Sequence, residues 1–132
     1  MPGTTTTLAL AAGAAMLAGG AALALPTQAA GPGVKAPITA YANVTANGRI
    51  KWGWGIGSVT KPSAGIYCVR ANRADISKTF PEATAVNYGR VVSIIAEPHK
   101  DCGNRNDTYR VTVYNADTRK VTDGGFYITV VP

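Results

Sequence analysis

From Ile38 to the C-terminus, no stretch of helix length repeats its apolar side chains at a helical period. Apolar and polar residues instead alternate one by one, in short runs broken by Gly, Pro, Asn and Asp. Ile38, Ala40, Ala42 and Val44 alternate with Thr39, Tyr41, Asn43 and Thr45. Asn47-Gly48 follows, a pair that tolerates the positive φ of a tight hairpin, and Arg49 to Trp54 reads as the return strand. A short strand is expected from Val59 to Lys61-Pro62. The run 65–71, GIYCVRA, sets Tyr67, Val69 and Ala71 on one face and Ile66, Cys68 and Arg70 on the other. Residues 72–83 show no clear period and admit one helical turn, limited by Pro81. RVVSIIA, residues 90–96, is the most apolar run and is predicted to be a central strand. Residues 97–107 read as a polar loop around Cys102, and Thr108–Asn115 and Gly125–Val131 as clean strands joined by another loop. These runs predict an all-β domain, an antiparallel β-sandwich or small barrel of about seven to eight strands.

Ahead of this pattern lies a different segment. Residues 8–25, LALAAGAAMLAGGAALAL, carry no charge, and the first charged side chain of the chain is Lys35. Thr27 and Ala29 are small residues suited to a cleavage site, so residues 1–29 are predicted to be a signal peptide; cleavage after Ala30 fits nearly as well. No Lys or Arg precedes the apolar run, so only the terminal amine supplies positive charge there. The alternative is a membrane anchor, for which an Ala- and Gly-rich run of this length is marginal. The predicted organisation is a signal peptide over 1–29, a flexible segment over 30–37 and a single β domain over 38–132, secreted and without a membrane span after cleavage.

Export places the two cysteines in an oxidising compartment, where Cys68 and Cys102 are expected to form one disulfide. Closing such a loop stabilises a domain by roughly 3–4 kcal/mol in the chain-entropy picture. There is no CxxC and no Cys/His metal spacing, so neither a metal nor a cofactor is expected. The net charge is +6, from 13 Lys and Arg against 7 Asp and Glu. A basic surface favours polyanions such as an anionic wall polymer. The basic residues are scattered rather than striped, which argues against a specific nucleic-acid partner.

His99 is the only histidine and sits in the polar loop beside Cys102, a setting that suits an exposed loop residue better than a catalyst. The aspartates all stand in turn-like contexts, and no GxSxG is present, so no catalytic residues are assigned. The stretch Asp101–Asp107 lacks the spacing of a calcium loop. The most unusual local feature is Ile50-Lys51-Trp52-Gly53-Trp54-Gly55-Ile56-Gly57. Extended, it would put Ile50, Trp52, Trp54 and Ile56 on one face and nearly bare backbone on the other. Two readings follow. The indoles fill the core while glycines let another segment approach, or the indoles form an outer platform for flat partners. Trp52, Trp54, Lys51 and Arg49 are the ligand-binding candidates.

Ala42-Asn43-Val44 with Gly48, Gly55-Ile56 leading to Ser58-Val59-Thr60, Gly65-Ile66-Tyr67-Cys68-Val69, Tyr109-Arg110-Val111 and the ending Phe126–Pro132 form an ordered set. This order resembles a family of small secreted bacterial β-domain proteins of unknown function, of the kind common in high-GC soil bacteria, with tail-fibre-like relatives. The resemblance covers most of residues 40–132. It implies a fold and no catalytic residues. It also implies small or polar residues at the positions of Trp52 and Trp54, which favours at least one exposed indole here.

The expected function is a non-enzymatic binding or structural module at the cell envelope or outside it, with a cell-wall polymer, another anionic polymer or a glycan as partner. The alternative is a small basic effector, a protease inhibitor or antimicrobial protein acting through the Cys102 loop. An extracellular hydrolase is the third reading. The sequence leaves ligand identity and oligomeric state open.

Overall fold

The computed structural model describes residues 38–132. The expected signal peptide and the 30–37 segment lie outside the described residues. Eight strands follow one another: β1 (Ala40–Val44), β2 (Ile50–Trp54), β3 (Ile56–Ser63), β4 (Ile66–Ala71), β5 (Phe80–Ala85), β6 (Arg90–Ile95), β7 (Thr108–Asn115) and β8 (Phe126–Val131). They form two four-stranded sheets, in the orders β2-β1-β8-β5 and β3-β4-β7-β6. Every pairing is antiparallel. The fold is a β-sandwich of eight strands with one disulfide.

Alternation decides which side chains enter the space between the sheets. Ala40, Ala42 and Val44 of β1 and Phe126, Ile128 and Val130 of β8 face inward from the first sheet. Tyr67, Val69 and Ala71 of β4 meet them from the second, with Tyr109, Val111 and Val113 of β7. All twelve are almost wholly buried. Burying a side chain such as Phe126 contributes about 1.5–3 kcal/mol. Tyr67 packs edge-on against Phe126 at 5.1 Å between ring centroids. Its hydroxyl donates to Ala46 O at 2.6 Å and accepts from Gly124 N–H at 3.2 Å. Tyr109 pairs its hydroxyl with Thr79 Oγ1 at 2.6 Å. Each buried phenol thus has a partner for its polar end, which keeps its burial favourable.

Four sequence expectations are corrected. The stretch 72–83 holds one 3₁₀ turn, Ile76–Lys78, capped by Asp75, and then a strand, β5, that local period did not reveal. β5 tolerates Pro81 because it is an edge strand, paired with β8 only. β6 is not central: it pairs with β7 alone, and its apolar Val92 and Ile94 pack on the core while Val91 is exposed. β3 is longer than expected, running from Ile56 to Ser63 along the other edge of the same sheet. The first strand begins at Ala40 rather than Ile38.

The disulfide joins Cys68 and Cys102, with Cα atoms 5.4 Å apart. Cys68 alternates with Tyr67 and Val69, so it lies on the outer face of the second sheet, not in the core. Cys102 ends a 3₁₀ turn, Lys100–Cys102, in the β6–β7 loop. The bond therefore staples that loop to the sheet. Arg110 Nε adds a bond to Asp101 at 3.0 Å.

Candidate functional site

The outer face of the first sheet carries the exposed aromatics. β1 and β2 are joined by the Asn47-Gly48 turn, and the register sets Trp54 opposite Tyr41 and Trp52 opposite Asn43. On the other side of β1, Asn43 faces Tyr127 and Tyr41 faces Thr129, both on β8. Two rows result, Trp52–Asn43–Tyr127 and Trp54–Tyr41–Thr129. Trp52 is 50 % exposed and Trp54 60 %, while Tyr41 and Tyr127 keep about 40 % of their surface. The Trp52 ring lies 5.8 Å from Tyr127 and 6.2 Å from Tyr41, centroid to centroid. A shallow hollow between these three rings is floored by Ala42 and Ile128 and edged by Ile38 and Thr129.

Asn43 lies at the centre of the first row and is only 7 % exposed. Its side chain makes no hydrogen bond among the described residues, and no polar side-chain atom there is buried without a partner. The amide therefore keeps contact with solvent at the foot of the rings, placed to bond a hydroxyl or carbonyl brought against them.

Why the indoles stand outside follows from the glycines. A Cβ on Gly53 would lie 2.5 Å from Tyr41 O and 2.8 Å from Ala42 Cβ. Gly53 thus lets β2 sit tightly over β1 with its two neighbours facing away. Gly55, with φ +73°, is the only residue between β2 and β3, and carries the chain from one sheet to the other. A Cβ there would meet Thr39 O at 2.6 Å. Both sequence readings are partly met: the glycines serve close backbone approach, and the indoles are exposed all the same.

The expected face Ile50–Trp52–Trp54–Ile56 is corrected at both ends. A bulge between Asn43 and Val44 pairs Ile50 with buried Val44, off the indole side. Ile56 belongs to the second sheet, opposite Ala71, and packs against the core. Of the four candidate residues, Trp52 and Trp54 share the face with Tyr41 and Tyr127. Arg49 and Lys51 are exposed but line a separate hollow at the β1–β2 turn, with Thr45, Asn47 and Ile50. Tyr41, Asn43 and Tyr127 were not singled out from sequence. Tyr41 was within reach, because the Asn47-Gly48 hairpin fixes its pairing with Trp54. Tyr127 was not, because it arrives through the β1–β8 pairing of the two ends of the domain.

The sequence matches no protein-family model, no curated protein and no solved structure. Function must be read from the site itself.

Asp75, Asp101, Asp107 and Asp123 are occupied in holding turns and loops. Asp75 accepts from Ser77 N–H at 3.1 Å and Asp123 from Gly65 N–H at 2.7 Å and Lys61 Nζ at 2.6 Å. Asp107 accepts from Arg105 Nε and Nη2, both at 2.8 Å, from Arg70 Nε at 2.9 Å and from Thr108 Oγ1 at 2.9 Å. The Arg105 guanidinium first, with Arg70 behind it, holds the Asp107 carboxyl well below the usual carboxylate range. His99 Nδ1 accepts from Asp101 N–H at 3.2 Å, capping the 3₁₀ turn that ends in Cys102. Among the described residues no three His, Cys, Asp or Glu side chains converge as a metal site, and no helix is long and apolar enough to cross a membrane.

Proposed function

We propose that this protein is a secreted, non-enzymatic module that binds a glycan against the outer face of its first sheet. The observation that carries this reading is the set of four aromatic side chains, two of them tryptophan, held half-exposed on adjacent strands around the Asn43 amide at their foot. Indole and phenol rings present broad apolar faces that stack on the flat side of a pyranose, while a fixed amide reads its hydroxyls. An exposed apolar patch of this kind on a small domain marks an interaction surface. Secretion is supported by the apolar, charge-free opening run and by the disulfide, which persists in oxidising surroundings. The alternative effector role through the Cys102 loop gains less support. That loop directs His99, Asp101 and Arg105 back onto its own turn and sheet.

The test is retention on insoluble polysaccharides. The protein should pellet with at least one of chitin, cellulose or purified cell wall, and Trp52→Ala or Trp54→Ala should lower retention about tenfold. Base–aromatic stacking, a comparable contact, is worth about 1–3 kcal/mol per ring. Equal retention of wild type and both variants would end this reading.

A further inference from the structure

At the Trp54 end of the aromatic face the described residues form an open cleft of about 940 Å³. Trp54 forms one wall with the bare backbone of Gly53 and Gly55, and the turn after β4, holding Asn72 and Arg73, forms the other with Arg70. The cleft is built into the fold. Gly55 O accepts from Asn72 N–H at 2.7 Å, tying that turn to the sheet crossing. Ala71 N–H and Ile76 N–H bond Asp107 O and Asn106 O, both at 2.9 Å, and fix its far side.

Its electrostatics are one-sided. Asp107 is the one carboxylate lining it, and two guanidiniums already bond that group. Arg70 commits only Nε to Asp107, leaving its terminal nitrogens without a protein partner among the described residues, and its side chain is half-exposed. Arg73 makes no ion pair and no side-chain hydrogen bond there. Its backbone is left-handed, φ 58°, a conformation costly for a residue other than Gly, Asn or Asp.

We infer that this cleft is a subsite for the carboxylate of an acidic pyranose, so that the polymer on the aromatic face is a polyuronate. The inference rests on the proposed glycan-binding role and specifies its substrate class. Trp54 belongs to both surfaces: it stands opposite Tyr41 in the second aromatic row and lines the cleft. A sugar chain that continues past Trp54 into the cleft meets Arg70 and Arg73 on its lining. Guanidinium groups match planar carboxylates with paired donors. Stacking requires that the repeating unit contain a ring, which selects a polyuronate over a polyol phosphate carrying equal charge.

The experiment compares the full chain's affinity for polygalacturonate, for its fully methyl-esterified form and for poly(glycerol phosphate). The variants are Trp52→Ala, Trp54→Ala and Arg73→Asn; Asn keeps the left-handed backbone comfortable while removing the charge. The expected result is that polygalacturonate binds and its ester binds several-fold more weakly. Arg73→Asn should lose about fivefold for polygalacturonate alone, the modest value for an exposed charged contact. Poly(glycerol phosphate) should bind weakest. Equal binding of polymer and ester, or no effect of Arg73→Asn, overturns the subsite, and a remaining loss in Trp52→Ala then leaves the glycan-binding role standing. Tightest binding to poly(glycerol phosphate) overturns the polyuronate in favour of a phosphate polymer. Failure to bind any polymer, insoluble polysaccharides included, overturns both readings.

Discussion

Gly53 separates two strong aromatic side chains and settles where they point. Its Cβ position is taken by Tyr41 O and Ala42, so Gly53→Ala is expected to push β2 off β1 and cost about 1–3 kcal/mol or more, seen as a lower denaturation midpoint. The tryptophans behave in the opposite way. Both are at least half-exposed, so Trp52→Ala and Trp54→Ala are each expected to cost under about 1 kcal/mol. Phe126→Ala, deep between the sheets, should cost about 3–5 kcal/mol. Denaturant curves on the four variants check the contrast. At this scale the sequence was informative about identity and silent about company. Alternation alone put Trp52 and Trp54 on one face. The bulge at Asn43/Val44 and the sheet change at Gly55 removed Ile50 and Ile56 from it, and neither has a local signature strong enough to read in advance.

Among the elements, the strands with clean alternation were legible: β1, β4, β7 and β8 appear within a residue or two of their expected limits. β5 was hidden because its inward residues, Pro81, Ala83 and Ala85, are small or only half-buried, which leaves little period to detect. Besides the Arg110–Asp101 bond, two further ties of the β6–β7 loop to the second sheet can be tested by substitution. Replacing both Cys68 and Cys102 by Ala is expected to cost about 2–5 kcal/mol, read as a fall in unfolding temperature with the strand signature of circular dichroism retained. Retention is expected because the bond lies outside the core. The second tie is Asp107, which joins β4 through Arg70 to the loop through Arg105. Its folded pKa is depressed, so the stability it confers is present above the unfolded carboxylate pKa, about 3.9, and is lost as pH falls toward the folded value. Asp107→Asn should lower stability at neutral pH by about 1 kcal/mol, the bonds being partly solvent-screened, and should flatten the acid limb of the stability profile below about pH 4. An unchanged acid limb would show that the ion pairs carry no stability.

For the whole molecule, strand alternation made the fold class legible and the cysteine count with the expected export made the disulfide legible, but nothing local revealed the aromatic face. That face exists because β8, the last strand, pairs with β1, the first, and brings Tyr127 beside Trp52. Such a contact joins residues at opposite ends of the domain and leaves no trace in any local window. The two tryptophans of the chain both stand on this face, so their fluorescence reports on it without background. The most direct measurement is tryptophan emission and acrylamide quenching while soluble neutral and acidic polysaccharides are titrated in. The expected result is red-shifted, readily quenched emission in the free protein, and a saturable blue shift with protection from quencher as a polymer binds. Emission that is already blue-shifted and shielded in the free protein, or that stays unchanged with every polymer, would contradict it.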